Sequence, residues 1–413
     1  MSRIVSQKQA IVVVGAGVIG LTSALTLLHT LPSESYAVYL LAETFPTDVI
    51  ATPDPDPSYA TTLAGAHFRP IPAVSPQLKH EAQLAKKTYE TWKRVARDAP
   101  EMGVRMCEGI EFIDAGAPAL RDYQALEREY VGQEGFRLID MRDVKGPGGP
   151  QKKEGSEMLG ASIPDGTAFG CRYDTYTIDT EICAVHLLRR FRINGGSVIR
   201  KRLRKIEEAF EAIPADKRAG NIPLVINCSG MGFDDPSTFV IRGQTCLVRN
   251  VLPDDEFKTI TRQLRDGSWS FIIPRPLLGG TIVGGTKQPN DWSCNPDPQV
   301  REQLLQNAAE LCPSLLGRNK KWDVVRDIVG RRPARKGGIR LELETLVDEY
   351  NSSKNNGDLE TAQGKSVIHA YGVGGRGWEL SWGIAEEVVK MATDCLGEDR
   401  LKSIRSDYGK HRL

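Results

Sequence analysis

The chain has 413 residues, 40% of them hydrophobic and 26% charged, with a formal net charge of +1. That length buries a large core without covalent staples and corresponds to two or three domains. The even charge balance argues against a polyanion-binding protein, which carries a concentrated basic face, and the eight scattered cysteines give neither a disulfide framework nor a CxxC metal or redox site. A reducing compartment is the simplest reading of those cysteines. No apolar stretch reaches the roughly 18 residues that span a bilayer.

Ile11 to Val14 is a short β-branched run, apolar on both faces, as a strand buried in a parallel sheet requires. Gly15-Ala16-Gly17-Val18-Ile19-Gly20 follows, and Leu21, Ala24, Leu25, Leu27 and Leu28 continue at helix-compatible spacing. Strand, glycine turn and helix together give GxGxxG the context it needs. Gly15 permits the tight turn. Gly17 lets backbone N–H groups approach a pyrophosphate, and Gly20 lets the helix pack close to the strand. The helix N-terminus then favours the anion. The same glycines interrupt an apolar run that, after Arg3 and Lys8, would otherwise pass for a secretory signal, and no clear cleavage site follows. A second strand, Ala37 to Leu41, leads to Glu43. A carboxylate there accepts hydrogen bonds from ribose hydroxyls and repels a 2′-phosphate, which disfavours NADP. FAD and NAD both remain open at this point.

Ala51 to Ser58 is rich in Pro and Asp and reads as a loop; Thr61-Thr62 with Ala64-Gly65-Ala66 reads as a small-residue turn. Ser75 to Asp98 reads as a helix with Ser75 as its cap and Pro76 at its first position. Gly146 to Gly155 reads as a surface loop. Asp179 to Phe191 reads as a helix capped by Asp179 or Thr180 and ended by Gly195-Gly196. Ser197 to Ile199 begins a strand, with the basic run Arg200 to Lys205 as a solvated edge. Leu224 to Asn227, running into Ser229 and Gly230, resembles a late strand returning beside the first. Ser270–Pro274 and Thr281–Gly285 pair as a hairpin, Leu304 to Cys312 is helical, and Asn351 to Gly357 is a surface turn. Val367 to Tyr371 is a final strand. It enters Gly372-Val373-Gly374-Gly375-Arg376-Gly377, with a helix from about Trp382 to Leu396. A second glycine-rich junction is hard to explain for an NAD dehydrogenase. It suits FAD, whose isoalloxazine needs a cradle as well as its pyrophosphate.

Five motifs, VVVGAGVIGL at Val12, TTLAGAHFRP at Thr61, IRGQ at Ile241, GRRPARKGGIRLE at Gly330 and VIHAYGVGGRGWELSWG at Val367, resemble those of the D-amino-acid oxidase and D-aspartate oxidase family over nearly the whole chain. The resemblance implies an α/β chain of two discontinuous domains. Residues 1–65, 172–235 and 330–413 would form a Rossmann-like FAD-binding domain. Residues 66–171 and 236–329 would form a mixed α+β substrate-binding domain on an antiparallel-rich sheet. The implied activity is oxidative deamination of a D-amino acid. Hydride passes from the α-carbon to flavin N5, dioxygen reoxidises the flavin to give hydrogen peroxide, and the imino acid hydrolyses to a 2-oxo acid and ammonia. The demand on the protein is positioning and charge pairing, with no general base required if the amine arrives neutral. A flavin- or NAD-dependent dehydrogenase is the rival reading.

Carried over residue by residue, Arg332 matches the arginine that grips the α-carboxylate, a task its planar fork suits. Gly375 matches the residue whose backbone faces the substrate amine. Gly374, Gly377, Trp378 and Glu379 match the flavin-cradling loop, Arg340 a flavin-proximal arginine, and Thr61, Thr62 and Ala66 contacts near the pyrophosphate and ring. Ala16, Val18, Ile19 and Ser229 join the cofactor set beside Gly15, Gly17, Gly20 and Glu43. Two positions depart from the pattern. Phe271 stands where the family has a tyrosine that helps hold the carboxylate, with Trp269 as a nearby donor. Lys287, in Gly284-Gly285-Thr286-Lys287-Gln288, stands where D-aspartate oxidases have an arginine and yeast oxidases of neutral D-amino acids a tyrosine. His67, Arg69 and Arg376 add further positive charge. Several cations favour an acidic substrate, D-aspartate or D-glutamate, because an unpaired buried cation is costly; a broad oxidase of neutral D-amino acids is the alternative. The expected partners are a small D-amino acid and dioxygen, without nucleic acid, membrane or metal, and a homo-oligomer is compatible with the sequence. The His411-Arg412-Leu413 ending keeps the basic-Leu part of a peroxisomal tripeptide, so peroxisomal import is expected, with the cytoplasm otherwise.

Overall fold

The computed structural model describes residues 8–124, 134–139, 163–346 and 365–397. The Gly146–Gly155 loop, the Asn351–Gly357 turn and the His411-Arg412-Leu413 ending lie outside them. Two compact units are present. The first takes its described residues from Met1–Pro55, Ala184–Phe239 and Pro333–Leu413, the second from Asp56–Cys183 and Val240–Arg332.

In the first unit, strands run side by side in the order Arg340–Leu346, Lys365–Tyr371, Leu224–Asn227, Gln9–Val14, Tyr36–Ala42, Ser197–Arg200. All pairings are parallel except the first, where Arg340–Leu346 runs antiparallel to its neighbour. Ile11, Val12 and Val13 have no exposed surface, as expected of a strand covered on both faces. The late strand does return beside the first: Val12 faces Val225, which in turn faces Val367. The helices Val18–Thr30 and Gly377–Cys395 pack together, and the Thr22 hydroxyl joins them, donating to Val18 O at 2.9 Å and to Ser381 O at 3.2 Å. The second of these helices begins five residues before the expected Trp382. Gly377 itself is helical (φ −51°, ψ −52°), and a Cβ on it would lie 3.3 Å from Val18 Cγ1. The glycine read as loop is there because the helices approach closely.

The second unit is built on a mixed sheet of ten strands among the described residues. Its central run is Thr238–Val248, Thr281–Gly284, Trp269–Pro274, Lys258–Gln263, Val104–Asp114 and Thr167–Ile178, antiparallel throughout except where Lys258–Gln263 meets Val104–Asp114. Val324–Arg335 pairs with Thr238–Val248. Trp269–Pro274 and Thr281–Gly284 form the expected hairpin. Ile110, Phe112, Cys246, Val248, Ile260, Ile272 and Val283 point to one face and form a core with Ala308 and Leu311 of the Pro298–Leu311 helix. That helix starts earlier than the apolar periodicity indicates: Asp297 caps it, accepting from the Gln299 N–H at 2.8 Å, and Pro298 occupies its first position. Ser75 likewise accepts from the Leu78 N–H at the head of Pro76–Asp98, as expected. Asp179 caps Thr180–Ile193 through the N–H groups of Glu181 and Ile182. The units divide at 55/56, 183/184, 239/240 and 332/333, some residues away from the divisions expected from the sequence.

One polar knot ties the strand ends of the first unit. Asp235 accepts from Arg335 Nε at 2.8 Å, from the Tyr371 hydroxyl at 2.9 Å and from the Ser237 N–H at 2.8 Å. Burial pushes its carboxyl up, but Arg335, Ser237 and Tyr371 outweigh that and hold its pKa at about 2, below the ordinary 3.8. A depressed carboxylate stabilises the fold above its unfolded pKa and loses that contribution as pH falls through the folded value. Asp235→Asn is therefore expected to cost about 2 kcal/mol at pH 7. Its thermal midpoint should drop below that of the wild type and the gap should close between about pH 4 and pH 2.

Candidate functional site

The glycine turn of the first unit is a site for an anion. Gly15 has a left-handed φ of +103°, and a Cβ on it would lie 2.4 Å from Cys228 O; a Cβ on Gly20 would lie 1.8 Å from Gly15 O. Neither clash can relax, because the opposing atoms are backbone. Gly17 precedes the Val18–Thr30 helix in an extended conformation, and no side chain caps the helix. The positive end of that helix dipole suits a phosphate. Ala16, Val18 and Ile19 are buried around the turn, and Ser229, whose Cα lies 3.3 Å from the Cβ position of Gly15, sits against it. Glu43 follows Tyr36–Ala42 directly and is exposed, its carboxylate 3.6 Å from Arg202.

The far-end glycine loop belongs to the same unit. Gly374 is left-handed (φ +60°), and Gly374–Arg376 forms a single tight turn leading into Gly377–Cys395. Gly377 meets Val18, so the positive ends of two helices converge. Trp378 and Glu379 are buried in the first turn of the second helix, and Glu379 accepts from Arg376 Nη2 at 2.6 Å. Arg376 is thus paired, and its charge is not the spare cation expected. Arg340 is also engaged, with Glu342 at 2.7 Å, Glu344 at 2.8 Å and the Tyr371 hydroxyl at 3.2 Å. Two glycine turns, two converging helix ends and an exposed acid one residue past the second strand suit a dinucleotide well.

The second unit holds the other residues. Thr61 and Thr62 lie on the short helical turn Ala60–Leu63, and Ala66 begins a two-residue strand against Ile178. Thr180 Oγ1 donates to Thr62 O at 2.8 Å and to Ala64 O at 3.1 Å, fixing this segment. The Thr62 hydroxyl is fully buried and has no protein partner among the described residues, as a group awaiting a cofactor oxygen or nitrogen would be.

Arg332 is flanked by two arginines that the fold has already satisfied. Arg331 binds Asp56 and Ser58, and Arg335 binds Asp235. Among the described residues no carboxylate pairs with Arg332; its Nη1 donates to Thr286 O at 3.2 Å. Burial pulls its pKa below the ordinary value of an arginine. Its guanidinium lies over Gly243, where a Cβ would come within 2.3 Å of it. A guanidinium held by one carbonyl has donors to spare in the geometry that suits a carboxylate. Lys287 adjoins Thr286, is exposed, and has no carboxylate partner among the described residues. Phe271 lies across Gly284 and Gly285, whose Cβ positions fall 2.7 Å and 2.9 Å from its ring, and packs on Leu63, Leu247, Ile273, Ile282 and Ile328.

Two expected cations are corrected. Arg69 is buried, with its Nη1 3.0 Å from Glu111 Oε1 and its guanidinium 4.3 Å over the Trp269 ring. Its charge is balanced by an acid with no exposed surface, to which Gln263 Nε2 also donates at 2.7 Å. His67 Nδ1 lies 2.8 Å from the Thr259 hydroxyl, and burial, aided by Arg69, holds its pKa well below the ordinary value. It is neutral at pH 7. Sequence reasoning missed the roles of Glu111, Gly243 and Thr286; Gly243, inside IRGQ, and Thr286, inside Gly284-Gly285-Thr286-Lys287-Gln288, each lay in a run that the sequence had singled out.

Because the atom opposing Gly20 is backbone, Gly20→Ala should deform the turn itself. The purified variant is expected to have lost most of its flavin absorbance near 450 nm; wild-type absorbance would show that the turn tolerates the methyl group.

The comparisons with known proteins agree with this geometry. A family model described as FAD dependent oxidoreductase (DAO) matches residues 10–391. The chain is 42% identical to a D-aspartate oxidase of Talaromyces thermophilus, over 92% of this chain and 94% of the relative, and 29% identical to a D-amino-acid oxidase of Fusarium vanettenii, over 92% and 96%. Among solved structures, a glycine oxidase from Geobacillus kaustophilus superposes with a TM-score of 0.63 at 16% identity, covering 94% of this chain and 95% of that one. An L-proline dehydrogenase from P. horikoshii reaches 0.65 at 13% identity, covering 97% and 96%. These structural likenesses bear on the fold. The cofactor is FAD, and the chain belongs to the DAO family of FAD dependent oxidoreductases.

Proposed function

We propose that this protein catalyses the oxidative deamination of D-amino acids, with D-aspartate preferred, giving a 2-oxo acid, ammonia and hydrogen peroxide. The observation that carries the reading is Arg332, a desolvated guanidinium with no carboxylate partner among the described residues. When bound, FAD supplies a two-electron acceptor that dioxygen can reoxidise. The protein's own residues bind and orient. Arg332 takes the α-carboxylate as a bidentate pair, its fork fixed on one side by Thr286 O. Phe271, packed on Gly284 and Gly285, offers an apolar flank and no hydroxyl, so the carboxylate is gripped by charge with little help from neutral donors. The Gly375 backbone is the expected neighbour of the amine. No side chain is required to take a proton from an amine that arrives neutral, and His67, uncharged and bonded to Thr259, is not called upon for one. Lys287 would pair with the second carboxylate of D-aspartate, and the 42% identity to a D-aspartate oxidase favours that substrate.

A second reading, a broad oxidase of neutral D-amino acids, is favoured by one observation: Arg69 and His67 contribute no free charge. Peroxide release in air decides between them. D-aspartate should give a higher kcat/KM than D-alanine; the reverse order would select the second reading. Lys287→Met should lower kcat/KM for D-aspartate about tenfold, as one partly solvated charge pair does, and leave D-alanine nearly unchanged. Arg332→Ala should reduce both by about 10²–10³-fold, the scale of removing one partner of a desolvated pair. No peroxide with any D-amino acid would reject the oxidase reading. The His411-Arg412-Leu413 ending supports delivery to the peroxisome, and a fluorescent fusion should lose peroxisomal localisation when those three residues are removed.

A further inference from the structure

Ile241-Arg242-Gly243-Gln244 contributes no group to the chemistry above, yet the whole run bears on Arg332. Gly243 is not in the left-handed region, so its backbone alone does not call for glycine. Space does: a Cβ there would lie 2.3–2.5 Å from Nη2, Nη1 and Cζ of Arg332. Gln244 brackets Thr286, its N–H donating to Thr286 Oγ1 at 2.8 Å and its carbonyl accepting from the Thr286 N–H at 3.1 Å. The Gln244 side chain also donates to Asp297 O and accepts from the Asp297 N–H, each at 2.8 Å. Arg242 is almost fully buried and is saturated by the same segment. It donates to Gln288 Oε1 and Asn295 O at 2.6 Å and to Ser293 O at 3.1 Å, with Asp291 4.0 Å away. Ile241 pairs with Pro289. One strand therefore fastens residues 286–297 along their length, and the carbonyl of Thr286 is the group that meets Arg332.

We propose that Arg242, Gly243 and Gln244 are positioning residues for the substrate carboxylate. Gly243 gives the Arg332 guanidinium its seat, and Arg242 and Gln244 hold the Thr286 carbonyl that sets its rotation. Of the two guanidiniums here, Arg242 is saturated by the protein and Arg332 is not, which decides which of them a ligand can engage. A bidentate pair needs the fork and the carboxylate in one plane, and a fork turned out of that plane keeps one of the two hydrogen bonds instead of both. The inference rests on Arg332 as the carboxylate-binding group.

The test uses the FAD-loaded full chain and 2-methylalanine, which has the α-carboxylate and amine of a substrate but no α-hydrogen to lose. Its affinity is read from the shift in flavin absorbance on titration. In Gly243→Ala the new methyl meets only the movable end of a long side chain, so the thermal midpoint and FAD content should match the wild type. The dissociation constant for 2-methylalanine and KM for D-amino acids should rise by about 10–10²-fold, the scale of one charged hydrogen bond, with kcat changed much less. Arg242→Met should move the same quantities the same way. Arg242→Lys should not restore them, because one ammonium cannot span the acceptors that a guanidinium reaches. In an Arg332→Ala background, Gly243→Ala should have no further effect. Wild-type affinity in Gly243→Ala, with affinity lost in Arg332→Ala, would overturn the seat while leaving the Arg332 reading intact. Unchanged affinity in Arg332→Ala would overturn both.

Discussion

A half-buried guanidinium with no carboxylate beside it among the described residues is the constraint on which the second unit turns. Burying a charge is expensive unless the charge is paired, and the fold observes that rule at its fully buried arginines. Arg69 has Glu111, Arg275 has Glu181 at 3.0 Å, and Arg242 is ringed by carbonyl and amide oxygens. Arg332 differs from these. It is held by a carbonyl, with glycine beneath it and a backbone segment braced to keep that carbonyl in place. The cost of its desolvation is recovered only when an anion arrives, so the fold stores at this point part of the interaction that binding completes. The neighbouring residues follow from the same demand. A glycine in the adjoining strand, an anchored loop and an aromatic flank on Gly284 and Gly285 each give a cation room and orientation without neutralising it.

What could be read from the sequence depended on how far a residue's meaning travels along the chain. The glycine turn from Gly15 to Gly20, the Ser75 cap and the hairpin of Trp269–Pro274 with Thr281–Gly284 are local statements, and each is found where its residues indicate. The positive charge expected of Arg69 was misread because its partner, Glu111, lies on a different strand and is fixed by a register that no local pattern reveals. His67 shares that difficulty: its neutrality comes from burial and from Arg69, both products of tertiary packing. Gly377 shows the converse error. It was legible as a glycine, but its task is close approach between two helices and not a loop.

The two halves of the recognition chemistry also differ in kind. The anion site of the first unit is made almost wholly of backbone, with helix ends and turns whose side chains are absent or buried. Such a site discriminates little among side-chain substitutions and depends on shape. The proposed carboxylate site of the second unit is made of one long side chain and its supports. Substitution can retune the second more easily than the first, which is consistent with a family that keeps FAD while its members act on different amino acids.

The order of strands in the first unit has a consequence for biosynthesis. Gln9–Val14 leaves the ribosome well before Leu224–Asn227, the strand it lies beside, and that strand in turn lies beside Lys365–Tyr371. The helix that brings Gly377 against Val18 comes later still. At about 5–20 residues per second the nascent glycine turn waits tens of seconds for its neighbours. Through that interval a strand that is apolar from Ala10 to Val14 lacks the neighbour that will cover one of its edges. The proposed flavin cradle is therefore a late product of translation.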